Sequence, residues 1–488
     1  MSLLQTEETT HAIATDTGDS AAIGELRAAF EAQRRAFAVD RQPSLAERRK
    51  RLEQIISMML TNRERIYEAL SADFGVHPAP MAEVLEVLAV TARAEYALAH
   101  LEEWMQPMPR EVDPAYKGVL RALVKSQPKG VVGNIAPWNF PFEIGLGPIV
   151  DMLAAGNRVM LKPSEATPAS ATLMREMVSA TFAPDLVYVA VGGLDLSRAF
   201  TALPFDHLLY TGSSNVGRQV MAAAAQNLTP VTLELGGKCP AVLLPGSVTP
   251  ESVGSVIGVK MIKNGQMCVT VDHCFVPRSD LETFARIATQ FMAKAAPDYA
   301  RSAACTGIIS ERHLDRMTDL LAEAKNRGTR IVMLEEDGLV DRETRRMPLS
   351  LVMDPAPDLR MMQEEIFGPI MPVIPYDEVE QVIERINASD SPLGVYVYGD
   401  DVATIDHILS ETSSGGGAVN ACAIQAGLKA LAFGGVGMSG MGRHHGEEGF
   451  REFSNQRGIV VRGEGPLFDA FVSPPQSSVD IVRQVPGG

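Results

Sequence analysis

Between Val131 and Gly237 the chain repeats one pattern, and that pattern limits the fold more than any other feature. Short apolar runs alternate with longer stretches of helical periodicity, and most runs end on a glycine or proline turn. Val131–Ala136 precedes the helical stretch Ile144–Ala155. Arg158–Leu161 ends at Lys162-Pro163 and precedes Ala169–Ala180. Leu186–Val191 ends at Gly192-Gly193. His207–Tyr210 ends at Thr211-Gly212 ahead of Val216–Ala225, and Val231–Leu235 ends at Gly236-Gly237. This alternation predicts an α/β fold with a mostly parallel sheet covered by helices. In open sheets of that kind ligands bind at the carboxyl ends of the strands, where Lys162, Gly212 and Glu234 fall.

A second series begins after Gly237, through Ala241–Leu244, Cys274–Val276, Ile331–Leu334, Pro372–Ile374 and Gly394–Val397, and predicts a second α/β domain. Ahead of both, Ser44 and Glu47 read as a capping box, followed by a helical stripe at Leu52, Ile55, Ile56, Met59 and Leu60. A further helical block spans 82–105. Prolines 107, 109 and 114 end it, and the extended stretch Val119–Ser126 reads as an arm or crossover. At 488 residues the chain exceeds one ordinary core. The expected division is a disordered start over 1–20, a cofactor domain over 21–110 and 129–236, an arm over 111–128 and 455–465, a catalytic domain over 237–454, and a tail over 466–488.

Composition excludes several function classes. A net charge of −16 argues against general nucleic-acid binding, which needs clustered Lys and Arg. No signal-peptide pattern opens the chain and no run is long and apolar enough to span a bilayer, so the expected compartment is the cytoplasm, with no membrane partner. The five cysteines are irregularly spaced and form no CxxC pair, and HExxH is absent. Neither a disulfide framework nor a metal site is expected.

Individual residues suggest chemistry. Cys268 follows Lys263-Asn264-Gly265-Gln266-Met267, a polar turn in which backbone amides could face a nucleophilic thiol. A single cysteine is more often a small buried apolar residue. Glu234 stands at a strand end in apolar company, as a structural outlier or as a base tuned by burial. Asn139, between Trp138 and Phe140-Pro141, is either a turn former or an oxyanion donor. Gly212-Ser213-Ser214-Asn215-Val216-Gly217 opens a helix after a strand, where a phosphate could approach the backbone, although the spacing is not GxGxxG. Lys162 and Glu165 could hold a ribose or form a solvated turn.

Together these pieces resemble the aldehyde dehydrogenase superfamily. The matching blocks, in order, are PWNFP at Pro137–Pro141, LKPSE at Leu161–Glu165, TGSSNVGR at Thr211–Arg218, LELGGK at Leu233–Lys238 and GQMC at Gly265–Cys268. EEIFGP at Glu364–Pro369 and FGGVGMSGMGRHHGEEGF at Phe433–Phe450 complete the set. The style is closest to the class 3 and coniferyl-aldehyde-type branch.

The resemblance implies a Rossmann-type cofactor domain, a catalytic α/β domain and a small β oligomerisation arm. It makes Cys268 the nucleophile, Glu234 the general base, and Asn139 with the Cys268 N–H the oxyanion hole. Lys162 and Glu165 would hold the adenosine ribose, Gly212, Ser213 and Gly217 the pyrophosphate, and Glu365 and Phe367 the nicotinamide riboside, with Trp138 flanking the cofactor. The implied reaction is NAD(P)-dependent oxidation of an aldehyde to the acid through a thioester. The cofactor is NAD, with NADP as the alternative, and the assembly a homodimer, with a tetramer as the alternative. Phe142, Met267, Val269 and Phe433 would give an apolar acyl pocket suited to aromatic, cinnamyl-type or medium-chain aldehydes. Family members often read Gln-Thr-Cys followed by Ala-Pro-Asp-Tyr; here the chain reads Gln-Met-Cys and then Val269–His273, so the acyl pocket is its own. Competing readings are a CoA-acylating dehydrogenase, which typically lacks the glutamate at Glu234, and a catalytically silent cofactor-binding protein.

Overall fold

The computed structural model describes residues 18–463 apart from 115, 116, 119, 336 and 337. The tail 466–488 therefore lies outside the described residues, as does 1–17 of the expected disordered start. Residues 18–20 correct that expectation, because they open the helix Gly18–Val39. Asp19 accepts the Gly193 N–H at 3.0 Å, which ties this helix to the loop after a strand.

The repeating pattern forms a six-stranded sheet. Val131–Ile135 is central, with Arg158–Lys162 and then Val187–Val189 on one side, and His207–Gly212 and then Val231–Leu235 on the other. These five run parallel. The chain leaves the central strand in one direction and returns to its other side. A topological switch point therefore lies between Val131–Ile135 and His207–Gly212, where a crevice opens at the strand ends. A sixth strand that the sequence pattern does not announce, Gly440–Met441, runs antiparallel beside Val231–Leu235 with Gly440 opposite Glu234. Its backbone lies so close that a Cβ on Gly440 would sit 2.1 Å from Leu233 O. Glycine is required there for the C-terminal motif to reach Glu234.

The helix Pro141–Ala154 follows the central strand and is apolar on nearly every side, as expected of a helix sunk in the core. Its Leu146, Ile149, Val150 and Leu153 are fully buried, each worth about 1.5–3 kcal/mol of transfer free energy. It lies against the helix Leu88–Trp104. Upstream, Ser44 caps Leu45–Thr61 by accepting the Glu47 N–H at 3.2 Å. The Glu47 carboxylate instead takes Arg51 at 3.2 Å, so only half of the expected capping box forms. The buried stripe there is Leu52, Ile55, Met58 and Met59, and Leu60 faces outward.

A seven-stranded sheet carries the second series. His273–Pro277 is central; Ile370–Tyr376, Ser350–Met353 and Arg330–Met333 extend one side in that order, and Pro240–Leu243, Gly394–Tyr398 and Gly416–Val419 the other. The arm is a third, antiparallel sheet in which Leu120–Pro128 lies between Met108–Arg110 and Ser454–Arg462.

Candidate active site

One cavity of about 630 Å³ connects the switch-point crevice to the turn that carries Cys268. Its wall includes Pro137, Trp138 and Asn139 from the loop after the central strand, Thr211 to Ser213 from the next strand end, and Glu234 to Gly236 from the strand beyond. Met267, Cys268, Val269, Glu365, Phe367 and Phe433 close the other side. Among the described residues, no group of three or more His, Cys, Asp or Glu side chains could hold a metal ion, and all five cysteines are unpaired.

The Cys268 turn is built from three consecutive left-handed residues, Lys263 (φ 47°), Asn264 (φ 54°) and Gly265 (φ 77°). Gly265 is obligatory, since a Cβ there would lie 2.3 Å from Gly368 O. Such backbone costs of order 1–3 kcal/mol at each non-glycine position and needs bracing. Gln266 supplies part of it: its amide donates to Lys263 O (2.9 Å) and Gly307 O (3.0 Å) and accepts the Ile309 N–H (2.9 Å). Lys263 supplies the rest. Its ammonium is fully buried, ion-paired with Glu86, and donates to Asn139 O at 2.6 Å. Glu86 in turn accepts the N–H groups of Phe142 (3.0 Å) and Glu143 (2.9 Å) in the first turn of Pro141–Ala154. One buried ion pair thus joins the thiol-bearing turn to the Asn139 loop. Asn139 donates its side-chain amide to Gln266 O at 3.3 Å, which leaves the second amide hydrogen for another acceptor.

Electrostatics are set by burial. The Cys268 thiol is pushed above the ordinary thiol range, first by burial and then by the facing Glu365 carboxylate. Glu234 is almost fully buried, and among the described residues neither of its oxygens has a hydrogen-bond partner; burial raises its pKa well above the usual carboxylate value. Glu365 is pushed up to about 8, by burial and then by Asp272.

The residues read as cofactor contacts divide into two groups. Gly212, Ser213, Trp138, Glu365 and Phe367 line the cavity. Ser213 caps the helix Ser214–Ala225, so a helix N-terminus opens on the crevice, a favourable seat for phosphate. Glu365 is pressed against Gly236, where a Cβ would fall 2.0 Å from its Oε2. Arg316 holds the Glu365 carbonyl at 2.5 Å and that of Ile366 at 2.7 Å. Phe367, at φ 54°, turns its ring edge-on to Trp138 at 5.3 Å. Lys162, Glu165 and Gly217 lie outside the cavity wall. Lys162 donates to Pro163 O at 2.7 Å and faces Glu165 at 3.6 Å. Gly217 packs its helix against the neighbouring strand, a Cβ there lying 2.8 Å from Leu235 Cδ2. A crevice at the switch point, a capped helix N-terminus above it and glycines where side chains would collide fit a dinucleotide.

Phe142 corrects one expectation. It is fully buried in the helical core and does not line the cavity; Phe140 does. The helix begins at Pro141, so Phe140 stands before it and reaches the cavity wall, while Phe142 lies inside its first turn; positions two apart along a helix do not share a face. Leu85, Ala89, Ile144, Ile424, Lys429, His444 and His445 also reach the wall. They come from helices and loops far apart in sequence, with no local pattern to group them. Lys263 is visible in the sequence only as part of a Lys-Asn-Gly run.

The fold and the cavity define a class: an α/β protein in which a nucleotide-type crevice meets a thiol and buried carboxylates. The particular family follows from comparison. The Aldehyde dehydrogenase family model matches residues 7–459, and the chain belongs to that family. It is an NAD(P)-dependent aldehyde oxidoreductase. A probable coniferyl aldehyde dehydrogenase of Caulobacter vibrioides is 38% identical over 434 residues, covering 88% of this chain and 90% of the relative. Staphylococcus aureus AldH in its substrate-bound state superposes with a TM-score of 0.89 at 28% identity, covering 94% of this chain and 98% of that one. A Mycobacterium tuberculosis aldehyde dehydrogenase complexed with NAD+ gives a TM-score of 0.77 at 28% identity, with 90% of each chain covered.

Proposed function

We propose that the chain oxidises an aromatic, cinnamyl-type or medium-chain aldehyde through a thioester on Cys268, with Glu234 as the base that releases the acid. The observation that carries this reading is the meeting of a thiol, a spare amide donor and an unpartnered buried carboxyl in one mostly apolar cavity. The Cys268 sulfur attacks the aldehyde carbon. Asn139 Nδ2 and the Cys268 N–H hold the oxygen as it gains charge, and preorganised donors of this kind act strongly where water is excluded. The resting thiol is protonated, and it loses its proton to solvent through the cavity as it attacks, which leaves Glu234 free to act on water in the later step. A nicotinamide held by Glu365 and Phe367 would supply the hydride acceptor, while Asn139 and the Cys268 N–H keep the thiohemiacetal oxygen in place on the way to the thioester. Glu234 then takes a proton from water, hydroxide adds to the acyl carbon, and Cys268 leaves as the acid forms.

Gly212, Ser213 and the Ser214–Ala225 N-terminus would hold the pyrophosphate, Glu365 and Phe367 the nicotinamide riboside, and Lys162 with Glu165 the adenosine ribose beyond the cavity, with Gly217 keeping the helix close. Glu165 would repel a 2′-phosphate, which favours NAD over NADP. Met267, Val269 and Phe433, with Phe140 in place of Phe142, form the acyl side. The domain division, a cytoplasmic location and a homodimer built through the Leu120–Pro128 and Ser454–Arg462 arm belong to the same proposal. An NADH-formation screen across cinnamyl-type, benzylic and aliphatic aldehydes tests it. The expected result is the highest kcat/KM for cinnamyl-type or medium-chain members, and a preference for two- or three-carbon aldehydes contradicts it.

A further inference from the structure

A buried chain of polar groups runs from the helical core to Glu234. Asp151 takes Arg93 in a bidentate pair, at 2.5 Å and 3.2 Å. The same guanidinium nitrogen that makes the shorter contact also reaches His444 Nδ1 at 2.8 Å. The far ring nitrogen, Nε2, lies 3.8 Å from Glu234 Oε1. Asp151 also accepts the His445 N–H at 3.1 Å. Every side chain from Asp151 to Glu234 is more than nine-tenths buried. The backbone makes room for them: a Cβ on Gly449 would stand 2.1 Å from Asp151 Oδ2, and one on Gly147 3.0 Å from an Arg93 nitrogen.

This arrangement fixes the histidine tautomer. A guanidinium has five donors, no acceptor and no accessible deprotonation. His444 Nδ1 must therefore present its lone pair to Arg93, and the neutral ring carries its hydrogen on Nε2, toward Glu234. Glu234 has two unpartnered oxygens in the cavity wall. At 3.8 Å the pair is too long for a hydrogen bond, so the bond forms only when the carboxyl moves toward the ring.

We infer that His444 is a positioning residue for Glu234: held by Arg93 and Asp151, its Nε2–H is the donor onto which the working carboxylate closes. The inference rests on Glu234 being the deacylating base. No proton passes along the chain, because Arg93 can accept none. The device is a clamp, and the proton that Glu234 takes from water leaves through the cavity. The other charged groups around Glu234 are Arg443 and Arg93, which favour its carboxylate, and Glu452, which opposes it; the Cys268 thiol faces it across the cavity. Against a burial that drives Glu234 upward, one more donor holds the base in its working form nearer neutral pH.

Two substitutions separate a clamp from mere packing. His444→Asn keeps an acceptor near the Nδ1 position and removes the donor, whereas His444→Gln places an amide N–H near the Nε2 position. In His444→Asn, thioester hydrolysis slows about tenfold, the scale of one hydrogen bond to a charged group. The acidic limb of kcat moves up by about one pH unit, while NAD affinity and the single-turnover rate of NADH formation stay at the parent values. His444→Gln returns the limb toward the parent, and His444→Leu carries the same expectation as Asn should Asn fail to fold. A limb that does not move, or equal losses of hydride transfer and melting temperature in all variants, overturns the clamp. Glu234→Gln is run alongside: slow hydrolysis there with parent-like His444→Asn rejects the clamp alone, and parent-like hydrolysis in Glu234→Gln rejects the base assignment beneath it.

Discussion

The two sides of the cavity, which the proposed function reads as a cofactor side and an acyl side, are built by different rules. The cofactor side, around Gly212, Ser213, Gly236 and Glu365, is fixed by backbone: a helix cap, glycines without room for a Cβ, and carbonyls held by Arg316. The acyl side, around Leu85, Phe140, Ile144, Met267 and Phe433, is fixed by side chains from distant segments that meet only in the fold. Backbone constraints leave short motifs in a sequence, whereas packing between distant side chains leaves none. The cofactor side should therefore tolerate almost no change in its glycines, and the acyl side should accept substitutions that retune the substrate.

The thiol belongs to neither rule alone, and removing it gives the largest effect. Cys268→Ala should lower aldehyde oxidation by about 10⁴-fold or more, as loss of a covalent nucleophile does, with NAD affinity by fluorescence titration unchanged. Retained turnover would transfer the nucleophile to another residue. On the cofactor side, Gly236→Ala puts a Cβ into Glu365 Oε2 and should raise the KM for NAD by about 10²-fold, the scale of displacing a positioned group by about an ångström. A parent-like KM breaks the backbone rule. The acyl side is tested by a pair. Phe433→Ala should change the ratio of kcat/KM between cinnamyl-type and short aldehydes by about tenfold, the scale on which an apolar pocket discriminates by shape, with little change in melting temperature. Phe142→Ala should do the reverse, costing about 3–5 kcal/mol of stability from the core and leaving that ratio alone.

The smallest effect is in pH. Cys268 and Glu234 both sit above their ordinary values, and in the proposed mechanism both act in their deprotonated forms. Steady-state kcat/KM should therefore rise as pH rises from neutral into the alkaline range. A profile flat from pH 6 upward would place the working groups in a better-solvated setting, since an ordinary carboxylate is fully ionised by then.

Much of the frame is legible in the sequence because it is periodic or glycine-bound: the parallel strands from Val131 to Leu235, the helix opening after Gly212, and the turn before Cys268. Sequence patterns mislead where three-dimensional direction decides. Phe142 and Phe140 are both aromatic neighbours of Pro141, and only the start of the helix at Pro141 tells which ring faces the cavity. Lys263 and Glu86 are far apart in the chain and each is an unremarkable charge alone; their pairing is visible only once the two sheets are assembled. The strand Gly440–Met441 is too short to carry a periodicity, yet it brings the segment bearing His444 beside Glu234.

The central claim is that turnover passes through a thioester on Cys268 that Glu234 resolves. Rapid-quench mass spectrometry of the Glu234→Gln variant, mixed with NAD and a cinnamyl-type aldehyde, tests it most directly. The account predicts one acyl group per chain within the first turnover, on the peptide carrying Cys268, with a burst of NADH matching it in amount. NADH formed at the parent's steady rate with no acyl adduct, or an adduct on another cysteine, would contradict it.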